Sequence, residues 1–379
     1  MPPKAVLAAI LGLLLLGGCA SAKPSSVSYQ CPPSCQSPQC FCASDNPPAG
    51  LKPSELPQLV MVSFDDAVTP EVFDLVRPAL ERRNPNGCPL PATFFVTTDE
   101  TDYWLVQRLH AQGNEIAVHT MTHRTSEKTG GKKWRSEILG ARDALSALSL
   151  IPKDEIAGFR APYLRHNKES FRIVYEAGFV YDSSITEIVG ALSRSPGAMI
   201  WPYTLDYGPA QRCFVGVCPD AGLKGLFEIP MHALRRGSEQ IAMDPAGTKD
   251  EIAGTLKQNF MDHYEGNRAP FGVYLHGAWL KDPGHAAALE EFLEDALSRE
   301  NVWFATMAQV VAFMRGPVPA AEAGKFFSCP APEPEPETCD GRDNDGNGET
   351  DEGLVHECRY PEGRFRTCAP CPEAWPKPV

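Results

Sequence analysis

From Gln58 to Met314 the chain alternates short apolar runs with longer stretches of helical period, and this alternation limits the fold more than any other feature. Strands are predicted at residues 59–64, 92–96, 115–118 and 156–159, and again at 200–203, 226–229, 271–275 and 302–306. Helices are predicted at 70–83, where Pro70 suits a first turn, and at 101–112, 134–148, 169–176, 248–263 and 285–299, with a last one closing near Met314. The pattern belongs to the α/β class. Its repetition suits a (β/α) barrel better than an open sheet, and the expected domain covers residues 57–329.

The chain ahead of that domain reads as an address. Lys4 precedes an apolar run over 5–16, too short for a bilayer, which needs about 20 residues, but suited to a signal peptide over 1–18. The string Leu16-Gly17-Gly18-Cys19 resembles a bacterial lipobox, with Cys19 as the lipidated residue. The expectation is an exported bacterial lipoprotein on the periplasmic face of an outer membrane or at the cell surface, with the membrane as a partner through its lipid anchor. Residues 19–56, rich in Ser, Pro and Cys, would form a tether. Of the 13 cysteines, setting Cys19 aside leaves an even number, as disulfides in an oxidising compartment require. Cys213 and Cys218 are near enough to close a small loop together, and the remaining pairings stay open. Cys368 and Cys371 could also suit zinc or redox chemistry, but no thioredoxin-like context surrounds them. With 35 Lys+Arg against 48 Asp+Glu and a net charge of −13, nucleic acid is excluded as a partner.

Four polar clusters stand where predicted strands end. Asp65 and Asp66 follow the first, His119 and His123 the third, Arg160 a short strand, and His276 the run 271–275. Alone, each has an ordinary structural reading: a helix cap for the Asp pair, a surface coincidence for His-x-x-x-His, a core histidine, a surface ion pair. Together they meet at one rim, because the carboxyl ends of barrel strands converge there. Two imidazoles and one carboxylate make a three-ligand site for zinc or another divalent transition metal, with a position left for water. One Asp of the pair would ligate while its neighbour takes a proton, an Arg beside it would hold it ionised, and a second His would protonate a leaving group. That set suits hydrolysis of an amide or ester.

The ordered strings S-F-D-D-A, H-T-M-T-H, R-A-P-Y, W-P-Y-T-L-D-Y and Y-L-H-G-A-W resemble the polysaccharide deacetylases with a NodB-homology domain, closest to their chitin-deacetylase-like branch, over about Cys31 to Cys329. The resemblance implies a distorted (β/α) barrel with fewer than eight full units. It implies Asp66, His119 and His123 as metal ligands, Asp65 as general base, His276 as general acid and Arg160 as the residue orienting Asp65. The N–H of Tyr163 would face the oxyanion. Asp206 would hydrogen-bond His276, with Asp182 of Tyr-Asp-Ser-Ser as its rival, and Trp201, Tyr207, Leu275 and Trp279 would line the acetyl and sugar pocket. Two departures occur, Ala67 for the usual Gly and Gly277 for the usual Asp, and neither removes a catalytic group.

After a Pro/Glu linker over 330–338, the tail 339–379 is too small for its own core and must be stapled into a disulfide-rich module. Its string C-D-G-R-D-N-D-G-N-G-E-T-D-E-G offers Asp343, Asp345, Asn347, Glu349 and Asp351 as candidate calcium ligands, and it resembles Cys/Asp-rich metal-binding repeats of secreted bacterial proteins. The twelfth position from Asp343 is Leu354 rather than the Glu of a calcium loop. The expected function is metal-dependent removal of N-acetyl groups from a GlcNAc-containing polymer or oligomer, chitin-like or peptidoglycan. The alternatives are an O-acetyl esterase on polysaccharide and a non-catalytic carbohydrate-binding surface protein.

Overall fold

The computed structural model describes residues 29–126, 130–188, 197–329, 338–344 and 348–378. The expected signal peptide, the lipidation residue Cys19, residues 330–337 of the linker, and Asp345 and Asn347 lie outside the described residues.

A nine-stranded sheet forms the centre. In it β1 (Gln58–Asp65), β2 (Thr93–Val96), β3 (Glu115–Val118), β4 (Gly158–Phe159) and β5 (Tyr181–Asp182) follow one another in parallel. β8 (Phe227–Glu228) continues beyond β5, and β7 (Tyr203–Thr204) ends that side antiparallel. On the other side β12 (Phe271–His276) pairs along β1, and β13 (Val302–Phe304) pairs with its start. The sheet curls into a half barrel. Every residue of β1 is buried, as expected for a parallel strand covered on both faces.

Side-chain alternation divides the core into two layers. Val60, Val62, Phe64, Phe94, Val96, Ile116, Val118, Val273 and Leu275 belong to the layer that meets the helices. Leu59, Met61, Phe95, Ala117 and Tyr274 face the other way, into the barrel. Burying each such large apolar side chain contributes about 1.5–3 kcal/mol. The same parity carries to the strand ends, so that Asp65, His119 and His276 fall on the inner face. The fold thereby aims its polar clusters at one another.

The outer helices start where caps allow. Thr69 accepts from Val72 N before α1 (Pro70–Leu80), with Pro70 in the first turn, and Asp102 accepts from Leu105 N before α2 (Tyr103–Ala111). α3 (Gly131–Leu148) and α4 (Lys168–Glu176) follow, then α5 (Lys249–Tyr264) and α6 (Pro283–Leu297). The last long helix, α7 (Met307–Arg315), seals the barrel interior with Met307, Val310 and Phe313. α1 ends before residue 83 because Arg83 pairs with Pro89 in an isolated bridge.

Residues 29–56, expected as a tether, are held to the barrel instead. Phe41 N donates to Thr204 Oγ1, Thr204 N donates to Phe41 O, and Trp201 N donates to Ser44 O. Phe41 also packs on Phe227. Disulfides join Cys31–Cys42, Cys35–Cys40, Cys88–Cys329, Cys213–Cys218, Cys339–Cys368 and Cys358–Cys371. The last two staple the tail around a hairpin of β14 (His356–Tyr360) and β15 (Gly363–Thr367). The stapled tail docks on α2 and its cap: Phe365 meets Tyr103 edge-on at 4.9 Å, Arg366 Nε donates to Asp102 Oδ2 at 2.7 Å, and Gln107 Nε2 donates to Cys339 O.

Candidate metal centre

Strand register assembles the rim. Asp65 lies opposite His276 on one side and opposite Phe95 on the other, while Val118 lies opposite Phe159, so His119 and Arg160 leave neighbouring strands at one level. His119 N donates to Val96 O and Arg160 N to Val118 O, which continues the ladder one residue past the strands. The backbone then turns sharply. Asp66, Thr120, His123 and Tyr163 all have positive φ (85°, 71°, 51° and 55°), a left-handed conformation costly to residues with a Cβ and concentrated here around the functional groups.

The Asp66, His119 and His123 ligand atoms lie within 4.8 Å of one another. His123 Nε2 is 3.3 Å from Asp66 Oδ1, and His119 Nε2 is 3.8 Å from the same oxygen. Asp66 Oδ1 and His123 Nε2 are buried with no hydrogen-bond partner, a costly state that a bound cation would relieve. His119 Nδ1 donates to Arg160 O at 2.8 Å, which leaves Nε2 as a lone pair aimed inward. Burial pushes His119 down to about 3, so it is neutral, as a ligand must be. The donor set of two imidazoles and one carboxylate fits a divalent transition metal.

Asp65 stands beside this cluster. Arg160 Nη1 donates to Asp65 Oδ1 at 2.6 Å and to Ser63 Oγ, while its Nε and Nη2 are held by Ser183 O and Ser183 Oγ. Burial raises the Asp65 pKa despite the Arg160 guanidinium. Across the cluster, His276 Nε2 is 3.8 Å from Asp66 Oδ2. Its Nδ1 is bonded to Asp244 Oδ2, its backbone N donates to Asp244 Oδ1 at 2.8 Å, and the Asp244 hydrogen bond lifts the imidazole to about 9. A carboxylate able to accept a proton and an imidazolium able to give one therefore stand on opposite sides of the cluster.

A polysaccharide deacetylase family model matches residues 52–181. Chitin deacetylase 1 of Bombyx mori is 32% identical over 374 residues, which cover 90% of this chain and 66% of that protein. Chitin deacetylase 8 of the same insect is 32% identical over 302 residues, covering 75% of this chain and 77% of that protein. The chain belongs to the polysaccharide deacetylase family. A solved structure described as a probable polysaccharide deacetylase from Pseudomonas aeruginosa superposes with a TM-score of 0.50 at 18% identity, covering 69% of this chain and 92% of that one, a likeness of fold. This deacetylase is a hydrolase with a NodB-type α/β barrel. Both Bombyx relatives are insect proteins, which overturns the expected bacterial lipoprotein of an outer membrane and, with it, the membrane partner; they point to an extracellular protein. Six disulfides suit that compartment.

Several residues of this deacetylase sit elsewhere than expected. Asp206 does not reach His276: its Oδ2 accepts from Gly225 N, and Asp244 takes the role. Its rival Asp182 is fully buried, accepts from Ser184, shares a hydrogen bond with Glu228, and is pushed up to about 7 by burial. Trp201 is 2% exposed in the inner core with Trp303 and Phe313, and Leu275 turns toward the helices because it precedes the inward His276 by one residue. Tyr207 is exposed on the 3-10 turn Leu205–Tyr207 that carries Asp206. Tyr163 is near the centre, its ring 4.4 Å from that of His123, and Trp279 Nε1 donates to Pro245 O beside Asp244. In the tail, Asp351 is buried and accepts from Trp104 Nε1 and from the N–H groups of Asp340 and Gly341, so protein donors take the oxygens of this one candidate calcium ligand. Asp343 accepts from Gly348 N. The sequence reading missed Asp244, which follows the apolar run Ile241-Ala242-Met243 much as Asp65 follows its strand.

Proposed function

We propose that the protein removes N-acetyl groups from a GlcNAc-containing polymer or oligomer of chitin type, using a divalent metal, zinc by preference, held by Asp66, His119 and His123. When bound, such an ion supplies Lewis acidity toward a carbonyl oxygen and toward water. Asp65, oriented by Arg160, accepts the proton of the attacking water, and its burial strengthens it as a base. The acetamide carbon lies between Asp65 and His276, with the Tyr163 N–H turned to the developing oxyanion. His276, kept protonated by Asp244, gives its proton to the departing amine. Acetate and a free amino sugar are the products.

One observation carries this reading: an acid and a base, each with its own buried or hydrogen-bonded partner, stand on either side of a ligand cluster whose oxygen and nitrogen lack other partners. The names of the two Bombyx relatives support the chitin-like substrate. Incubation with chitooligosaccharides and with peptidoglycan fragments, with and without a chelator, tests it. Chelator-sensitive acetate from the chitooligosaccharides is expected. Acetate from peptidoglycan alone would replace the substrate, and acetate that persists in chelator would remove the metal from the reaction.

A further inference from the structure

A cleft of about 380 Å³ opens between the barrel rim and the C-terminal hairpin module. Asp99, Thr122 and Arg124 line it from the barrel, and Glu362, Trp375 and Lys377 line it from the module. Thr122 and Arg124 flank the metal-ligand candidate His123 in sequence, so one loop serves both the cluster and the cleft. One wall of the cleft is thus a single residue along the chain from the cluster on either side of His123.

Both walls are built before any ligand arrives. On the barrel side, Glu137 accepts from Met121 N, Thr122 N and Thr122 Oγ1. On the module side, Trp375 packs against Tyr360 and Phe365 at 5.8 and 5.7 Å between ring centroids. Gly363 allows that packing, because a Cβ there would come within 3.1 Å of the indole. Lys377 Nζ is paired with Glu362. The module itself is fixed to α2 through Arg366 on Asp102 and Trp104 on Asp351.

The lining combines one flat, half-buried indole with a hydroxyl, carboxylates and cations. A sugar ring presents a matching surface, an apolar face of C–H groups edged by hydroxyls and, in an amino sugar, an acetamide. Clefts that join an aromatic wall to a few placed polar groups are the usual form of such sites.

We propose that this cleft is an outer sugar subsite, in which Trp375 stacks on one ring of an acetylated amino-sugar chain while another unit of the same chain lies at the Asp66–His119–His123 cluster. The C-terminal module is then part of the substrate groove, and chain length governs affinity because a second ring on one polymer binds without a second encounter. The inference rests on the amino-sugar reading of the centre given above.

Calorimetric titration of the full chain with chitooligosaccharides of increasing length tests it, with acetate release followed in parallel. Two variants close the cleft from opposite sides. Trp375→Ala removes the stacking wall, and Asp99→Trp fills the cleft from the barrel while leaving the module's aromatic cluster intact. Affinity of the unaltered protein should rise with length. Both variants should bind the long oligomers about ten-fold more weakly, with the shortest oligomer unchanged. Variants that match the unaltered protein at every length, or an unaltered protein with no length dependence, would overturn the subsite. Length-dependent binding without acetate release would refute the deacetylation and keep the subsite, whereas acetate release with unchanged binding in both variants would do the reverse.

Discussion

The barrel rim and the C-terminal acidic loop both gather carboxylates around sharp turns, yet they use them in opposite ways. At the rim, Asp66 Oδ1 and His123 Nε2 are buried and lack hydrogen-bond partners. In the tail, Asp351 is buried but is covered by an indole N–H and two backbone N–H groups. A cluster of acidic residues is thus no guide to ion binding by itself. The two regions differ in whether the protein has already supplied donors to the lone pairs, as it has at Asp351 and has not at Asp66 Oδ1.

That contrast can be broken most directly at the rim. His123→Ala should lose stoichiometric metal and reduce acetate release to background, and elemental analysis finding full metal content would remove His123 from the ligand set. Asp65→Asn should keep the metal while lowering turnover about 10²- to 10⁴-fold; loss of metal in this variant would mean that the two aspartates have exchanged roles. Asp244→Asn should cut kcat by about a hundred-fold at most, again with metal retained, because His276 then loses the carboxylate that holds it charged. An unaltered kcat would return the search for the partner of His276 to the start.

In the tail the same type of change should touch stability alone. Asp351→Ala removes the acceptor for three donors and should cost about 1–3 kcal/mol in a denaturant titration, with metal content unchanged. A drop in bound metal would dissolve the distinction between the regions. A pH-dependent effect is expected beneath the rim at Asp182, raised to about 7 by burial. The folded form retains a proton there that the unfolded chain releases near the ordinary carboxylate value of about 3.9. This contribution is complete below that value and is lost as pH rises through about 7. Asp182→Asn should flatten the decline of stability across that interval, and an unchanged slope would assign the decline to other groups.

The parts of this molecule that show in its sequence are those with a period. The long strands β1 and β12 and the long helices that surround them follow from apolar spacing, and the polar clusters at Asp65, His276 and His119 follow from where β1, β12 and β3 stop. The two-residue strand β5 carries no period of its own and exists through its neighbours, whereas β4 and β8 lie inside the apolar runs 156–159 and 226–229. Asp244 was hidden for a related reason: it sits between the small hairpin β10 (Leu234–Arg236) and β11 (Glu239–Ile241) and the helix α5, in no strand at all. Leu275 was legible and was misread. Standing one place before an inward histidine in a strand, it had to face outward. The tail's use of Asp351 could not be read because Trp104 lies far from it in sequence.

The hydrogen bonds between Phe41 and Thr204 have a practical bearing on how the protein is cut. The family match begins at residue 52, which invites truncation there. A chain shortened to that point would lose the segment laid along β7 and leave its outer edge bare, together with the side of Phe227 that Phe41 covers. Bare sheet edges recruit other chains. The shortened protein should come out of expression as aggregate or oligomer, and its failure would say nothing about the reaction the barrel performs.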